Sequence, residues 1–235
     1  MEIIGYSERG VMNALFYGIA LDKDSQKANV AMNKILHLGG FEGDYTDFKI
    51  YVEFSLSEFG SPDLVFTASN SNGEKEVFFV EAKVSAGSYY DIVKQRKHHI
   101  EYIEHPYESK YANGHSSNLF FQLKEKYMLF KYGPQTEFVG RVRQLGNNDV
   151  VCRFYNDITS GVENAHYMAI IPEQGNSKYQ SGKFITEKII AEMDDAMVIN
   201  LVSWEDIYND EILNSYVEST MSYNTSNGKS QIKNN

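Results

Sequence analysis

Glu76-Val77-Phe78-Phe79-Val80-Glu81-Ala82-Lys83-Val84 is the stretch on which the reading of this chain turns. An apolar run closes on two charged residues. Side chains alternate between faces along a strand, so Val77, Phe79, Glu81 and Lys83 share one face, and Phe78, Val80, Ala82 and Val84 share the other. Glu81 and Lys83 are then neighbours, about 6–7 Å apart at their backbones.

Working back from this strand, residues 69–74 have hairpin-turn composition with Asn72-Gly73 at the centre. Residues 63–67 form the strand that the turn returns from, entered through Gly60-Ser61-Pro62. Antiparallel pairing sets Asp63 at the start of its strand beside Glu81 and Lys83 at the end of theirs. Further back, Phe48, Ile50, Val52, Phe54 and Leu56 alternate with polar or amphipathic residues, the period-two pattern of another strand. The three strands make an antiparallel meander.

Two helices precede the meander. Ser7 can cap one carrying Val11, Met12, Leu15 and Ile19, and Ser25 can cap a second that stops at Gly39-Gly40. After the meander, residues 88–104 read as a helix with Ile92, Val93, Ile100 and Ile103 on its apolar side. Residues 107–117 read as a loop, and residues 118–132 as a helix ended by Gly133-Pro134. Residues 150–154 suggest a strand, as do residues 166–171 and 197–202, while residues 184–193 suggest a helix. Ser203 with Asp206 fits a capping box opening a helix from Trp204 to about Val217. The expected organisation is one domain over residues 1–220, followed by a disordered polar tail at residues 221–235.

The 235-residue length suits one domain, and an apolar content of 42% with 14% aromatic supports a sizeable core. Cys152 is the lone cysteine, so no internal disulfide forms and a reducing compartment is expected. No signal pattern opens the chain and no apolar stretch spans a bilayer, so the expected setting is cytoplasmic, without a membrane partner. A formal charge of −10 argues against coating nucleic acid by electrostatics alone. It leaves room for a metal site, which needs local carboxylates that bound cations offset.

Phosphodiester hydrolysis gives Asp63, Glu81 and Lys83 a joint purpose. A divalent ion relieves repulsion between phosphate and an incoming hydroxide, lowers the pKa of its water and stabilises charge on the phosphoryl oxygens. Asp63 and Glu81 are hard oxygen ligands suited to Mg²⁺, the backbone carbonyl of Ala82 is a further candidate ligand, and Lys83 can orient water and offset charge. The competing reading makes Asp63 a turn residue and Glu81 with Lys83 a surface pair on a half-exposed sheet.

Pro62-Asp63 and Glu81-Ala82-Lys83, on consecutive strands behind a helix and before another, resemble the PD-(D/E)xK nuclease superfamily. The resemblance covers roughly residues 7–105, with a later strand completing the sheet. It implies an α/β restriction-endonuclease-like αβββαβ core, a mixed central sheet flanked by helices, with additional C-terminal strands and a helix. It also implies Mg²⁺ or Mn²⁺ dependence and cleavage of DNA, less often RNA. Many members carry an acidic residue on the first helix that approaches the metal through water, and Glu8 is the candidate; a helix N-terminal carboxylate favoured by the macrodipole is its alternative.

Lys94, Gln95, Lys97 and His98 belong to the densest basic run, on the helix after the Glu81–Lys83 strand. They are the candidate nucleic-acid contacts, against a solvated basic face. Gln122 and Lys126, one turn apart, are a second candidate phosphate-facing pair. Glu53 reads as part of a solvated strand face rather than a ligand. The functional expectation is a Mg²⁺-dependent endonuclease acting on DNA. The alternative is a silent nucleic-acid-binding or protein-interaction module on the same fold. A homodimer or a partner subunit is a further way to complete a basic surface.

Overall fold

The computed structural model describes residues 8–84, 91–105, 117–138, 141–173, 176, 179–185 and 197–226. Helices α1 (Glu8–Ala20) and α2 (Ser25–Leu38) lead into strands β1 (Thr46–Val52), β2 (Leu64–Ser69) and β3 (Lys75–Ala82). Helices α3 (Ile92–Glu104) and α4 (Leu119–Tyr132) follow, then a separate hairpin of β4 (Gln135–Phe138) and β5 (Arg141–Gln144). Helix α5 (Asp149–Thr159), strands β6 (Val162–Ile171), β7 (Gly182–Ile185) and β8 (Val198–Ser203), and helices α6 (Trp204–Asn209) and α7 (Glu211–Ser226) complete the described chain.

The main sheet has the order β1-β2-β3-β6-β8-β7. The meander is antiparallel, β6 runs parallel to β3, β8 runs parallel to β6, and β7 closes the edge antiparallel. The protein is therefore α/β with a mixed sheet. The β2–β3 turn folds as its composition predicts. Asn70 Oδ1 accepts the amides of Asn72 and Glu74, and Gly73 takes φ +78°, where a side chain would be strained.

The sheet is covered on both faces, unlike a half-exposed meander. Phe66, Phe78, Val80, Ala82, Met168 and Val202 pack against α1, α2, α6 and α7. Val65, Val77, Phe79, Ala169 and Leu201 pack against α3, α4 and α5. Phe66 and Phe78 stack with centroids 4.6 Å apart. Each buried side chain of this size stabilises the fold by about 1.5–3 kcal/mol relative to exposure. Such a layer arrangement is what a parallel strand pair needs, because its helical crossovers cover the faces.

Several local expectations are corrected. Asp24, not Ser25, caps α2, its carboxylate accepting the Gln26 and Lys27 amides. Strand β1 stops at Val52, because Glu53 turns to φ +58° and residues 57–59 form a 3₁₀ turn. Residues 150–154 are helical: Asn148 caps α5 by accepting the Val150 amide, and only Phe154 and Ile158 of this helix are buried. The β-branched pair Val150-Val151 is overruled by the cap and the helical spacing. Gly182–Ile185 is an edge strand where a helix beginning at Phe184 is expected; it pairs with β8.

The last helix is two. Ser203 caps α6 by accepting the Asp206 amide at 2.8 Å, as its motif predicts. Asp210 then breaks the helix and caps α7 by accepting the Ile212 and Leu213 amides. Helix α7 continues to Ser226, so residues 221–226 are helical rather than part of a tail. The expected cap Ser7, the helix start at residues 88–90, the loop at residues 107–116, residues 186–193 of the expected helix and the tail beyond residue 226 lie outside the described residues.

Candidate active site

Asp63, Glu81 and Lys83 meet at one end of the β2–β3 hairpin, and Glu8 at the start of α1 joins them. The register pairs Leu64 with Val80, which sets Asp63 just before β2 beside the end of β3. Asp63 Oδ2 accepts the Ala82 amide at 2.9 Å, so its carboxylate sits at the peptide between Glu81 and Lys83. The Ala82 group that meets Asp63 is thus the amide; the carbonyl named as a candidate ligand is not part of this contact.

Lys83 follows the last residue of β3. Its amide donates to the Ile170 carbonyl at 2.9 Å, and its carbonyl accepts the Trp204 indole N–H at 3.0 Å. This anchoring on two sides fixes where its side chain departs. The side chain is buried, and Nζ donates to Glu8 Oε1 at 3.0 Å. Burial raises the Glu8 pKa against the opposing pull of Lys83, and the Asp63 charge raises it further. Glu8 therefore interacts electrostatically with both Lys83 and Asp63, more than a helix N-terminal carboxylate alone would.

Glu81 is wholly buried on the face covered by α4. Its cationic neighbour there is Lys126, equally buried, with Nζ 3.2 Å from Glu81 Oε1. The two make a close buried ion pair, and Glu81 Oε2 has no partner of its own. Burial pushes the Glu81 pKa up to about 7; Lys126 and Lys83 oppose the rise and Asp63 adds to it. A carboxylate kept in such a position at a cost in desolvation is a mark of functional sites.

Around this pair lies a second charged layer. Glu125 is buried and meets Arg143 of β5 at 3.4 Å. Arg143 also donates to the Glu58 carbonyl, and Glu58 accepts the Gln144 amide at 2.8 Å. The β4–β5 hairpin is thereby strapped to the 3₁₀ turn leading into Asp63. Gly60 closes that turn at φ +81°, and a Cβ there would lie 2.9 Å from Lys126 Nζ.

The carboxylates suit a Mg²⁺ or Mn²⁺ ion in their chemistry. Glu81 has two buried oxygens, Oε1 facing the Lys126 ammonium and Oε2 without a partner, and Asp63 has one oxygen not committed to Ala82. Among the described residues no group of three or more His, Cys, Asp or Glu side chains is arranged to hold a metal ion. The carboxylates are of the type that Mg²⁺ takes one or two of while keeping most of its waters, and they do not form an all-protein cage.

The basic helix divides. Lys94, Lys97 and His98 are exposed on α3, with Lys97 3.7 Å from Glu101. Gln95 is buried: its Oε1 accepts the Leu119 amide and its carbonyl accepts Asn118 Nδ2, both at 2.7 Å. Its side chain holds the start of α4 and faces away from solvent. Val93 is exposed, and His99 and Tyr102 take the inner positions expected of Ile100 and Ile103. Glu53 lies 3.8 Å from Arg9 on the surface, outside the carboxylate group.

Lys126 is the site residue whose role spacing alone does not reveal. Leu119, Leu123 and Lys126 fall at i, i+4 and i+7, so the lysine occupies the apolar stripe of α4. A charge on that stripe signals a buried partner. Protein-family models give no match to this chain, and neither curated proteins nor solved structures match it. No helix among the described residues is long and apolar enough to cross a membrane.

Proposed function

We propose that the protein is a metal-dependent phosphodiesterase acting on DNA, with the PD-(D/E)xK arrangement on a restriction-endonuclease-like core. The observation that carries this reading is the convergence of Asp63, Glu81, Lys83 and Glu8 at the end of β3, with both Glu81 oxygens buried and Oε2 without a partner. The order α1, β1-β2-β3, α3, β6, with β6 beside β3, supports the same core.

Asp63 and Glu81 would hold Mg²⁺ or Mn²⁺, and the bound ion supplies charge neutralisation at phosphate and a more acidic water. Lys83 positions the attacking water and offsets charge on the phosphoryl oxygens, while Glu8 fixes the lysine from the other side. Water adds to phosphorus as the bond from phosphorus to the leaving sugar oxygen breaks; a proton passes from the water through solvent to that oxygen. The exposed Lys94, Lys97 and His98 are the candidate contacts to flanking phosphates.

The test is cleavage of plasmid, linear and branched DNA in Mn²⁺ and Mg²⁺. Glu81→Ala and Lys83→Ala are expected to lose about 100-fold or more, in line with loss of a charge-stabilising group. Equal activity in wild type and both variants would sink the assignment. One observation favours a silent binding module instead. Lys126 and Lys83 already neutralise two of the carboxylates. Under that reading DNA is retained, and neither Mn²⁺ nor Mg²⁺ produces cutting.

A further inference from the structure

We infer that Lys126 is the site's internal counter-ion: it holds Glu81 when no cation is bound, yields that carboxylate to the cation, and turns its ammonium to a substrate phosphate. The inference rests on the metal-site reading above and adds a residue and an order of events to it.

The ammonium lies 3.2 Å from Glu81 Oε1, where a cation bound to that oxygen would meet it. Two positive charges cannot share one buried oxygen cheaply, because their repulsion is scarcely screened there. Cation binding therefore requires Nζ to withdraw. The pair is also poorly formed for a permanent structural link. Glu81 Oε2 has no hydrogen-bond partner, although a buried ion pair stabilises a fold only when its remaining lone pairs are satisfied.

A second anion lies close to the ammonium. Gly60 packs against Nζ so closely that a Cβ there would stand 2.9 Å from it, so glycine is what leaves the end of the lysine unobstructed. The same point is 3.0 Å from Glu125 Oε2, a carboxylate already influenced by Lys126 and also paired with Arg143. Glu125 can thus steady the ammonium away from Glu81. Because Gly60 belongs to the turn that enters Asp63, the lysine that leaves Glu81 stays beside the second proposed metal ligand. A phosphate bridging the cation is the acceptor chemically matched to it, since an ammonium binds phosphate as a point charge.

Mn²⁺ affinity is measured by electron paramagnetic resonance, and DNA affinity by anisotropy in Ca²⁺ to prevent cutting, on wild type, Lys126→Met and Lys126→Arg. Lys126→Met is expected to bind Mn²⁺ about tenfold more tightly and DNA about tenfold more weakly. Lys126→Arg should keep both values near wild type. Because Lys126→Met can disturb folding, trace acetylation of the wild type supplies an independent reading: Lys126 should be inert without divalent ion and become reactive on saturation with Ca²⁺. Unchanged Mn²⁺ or DNA affinity in a folded Lys126→Met protein overturns the inference, as does unchanged acetylation of the wild type. A wild type that binds no Mn²⁺ overturns the metal site itself, a distinguishable outcome.

Discussion

Glu81 and Lys126 are each costly inside the fold and tolerable together. Removing one charge strands the other, which typically costs about 3–5 kcal/mol, whereas replacing both with apolar groups is often neutral or stabilising. Glu81→Gln is therefore expected to lower the stability of the metal-free protein by about 3 kcal/mol, and Glu81→Leu with Lys126→Met to recover most of it. Denaturant unfolding without divalent ions checks both. A second pair sits near the opposite end of β3, where Glu76 Oε2 accepts from His166 Nε2 at 2.8 Å and from the Tyr45 hydroxyl at 3.0 Å. Burial holds the His166 pKa below its usual value, with Glu76 opposing and Lys183 assisting. Burial would raise Glu76, but His166, Tyr45 and Asn70 together hold it below the ordinary range. In both cases the unfolded chain binds more protons, so this stability is complete above about pH 6.5 and declines on acidification through each folded pKa. His166→Phe should flatten the upper part of that decline in unfolding curves collected from pH 7 to 4. Of the candidate site, Asp63, Glu81 and Lys83 were legible from strand alternation and a short motif, and Glu8 from the superfamily resemblance, which implies an acidic residue on the first helix. Lys126's link to Glu81 was not, since it depends on how α4 lies across the sheet.

At the scale of elements, caps and apolar spacing were legible where one signal dominated. Asn118 caps α4 and Ser203 caps α6 in agreement with composition. Spacing failed where a local preference competed with packing. Val150-Val151 suits a strand, yet Asn148 and the separation of Phe154 from Ile158 make α5. Phe184 suits a helix, yet the free edge of β8 recruits it into β7. Gln95 shows the same limit inside a correctly placed helix: a polar residue in a basic run faces inward to hold α4. Gln95→Leu leaves the buried Leu119 amide without its acceptor and should cost about 1–3 kcal/mol by denaturant unfolding. Lys94→Ala with Lys97→Ala should change stability by less than about 0.5 kcal/mol, while weakening any DNA binding and reducing its salt dependence.

For the whole molecule, the charge of −10 opposes a polyanion at long range. A surface of this sign needs cations placed where the phosphates arrive. DNA retention at 150 mM salt, followed by anisotropy, is therefore expected with Ca²⁺ and is expected to fall at least tenfold in chelator. Equal retention with and without Ca²⁺ would assign the binding to the protein's own basic side chains. The layered α/β arrangement was legible in outline, because three strands and their flanking helices carry clear periodicity. The order β3-β6-β8-β7 was not, since long-range pairing between strands separated by several helices leaves no short-range signature.

The Trp204 indole bonded to the Lys83 carbonyl spans 121 positions of chain. During synthesis at about 5–20 residues per second, several seconds separate translation of these two residues. For most of that interval the end of β3 lacks its neighbour β6, and throughout it lacks the indole that fixes the Lys83 carbonyl. A nascent chain carrying every residue of the Asp63–Lys83 motif is thus still unfinished at the motif, and its geometry matures only when the segment after β8 docks. The order of translation places a delay between making the charged groups and locking them together.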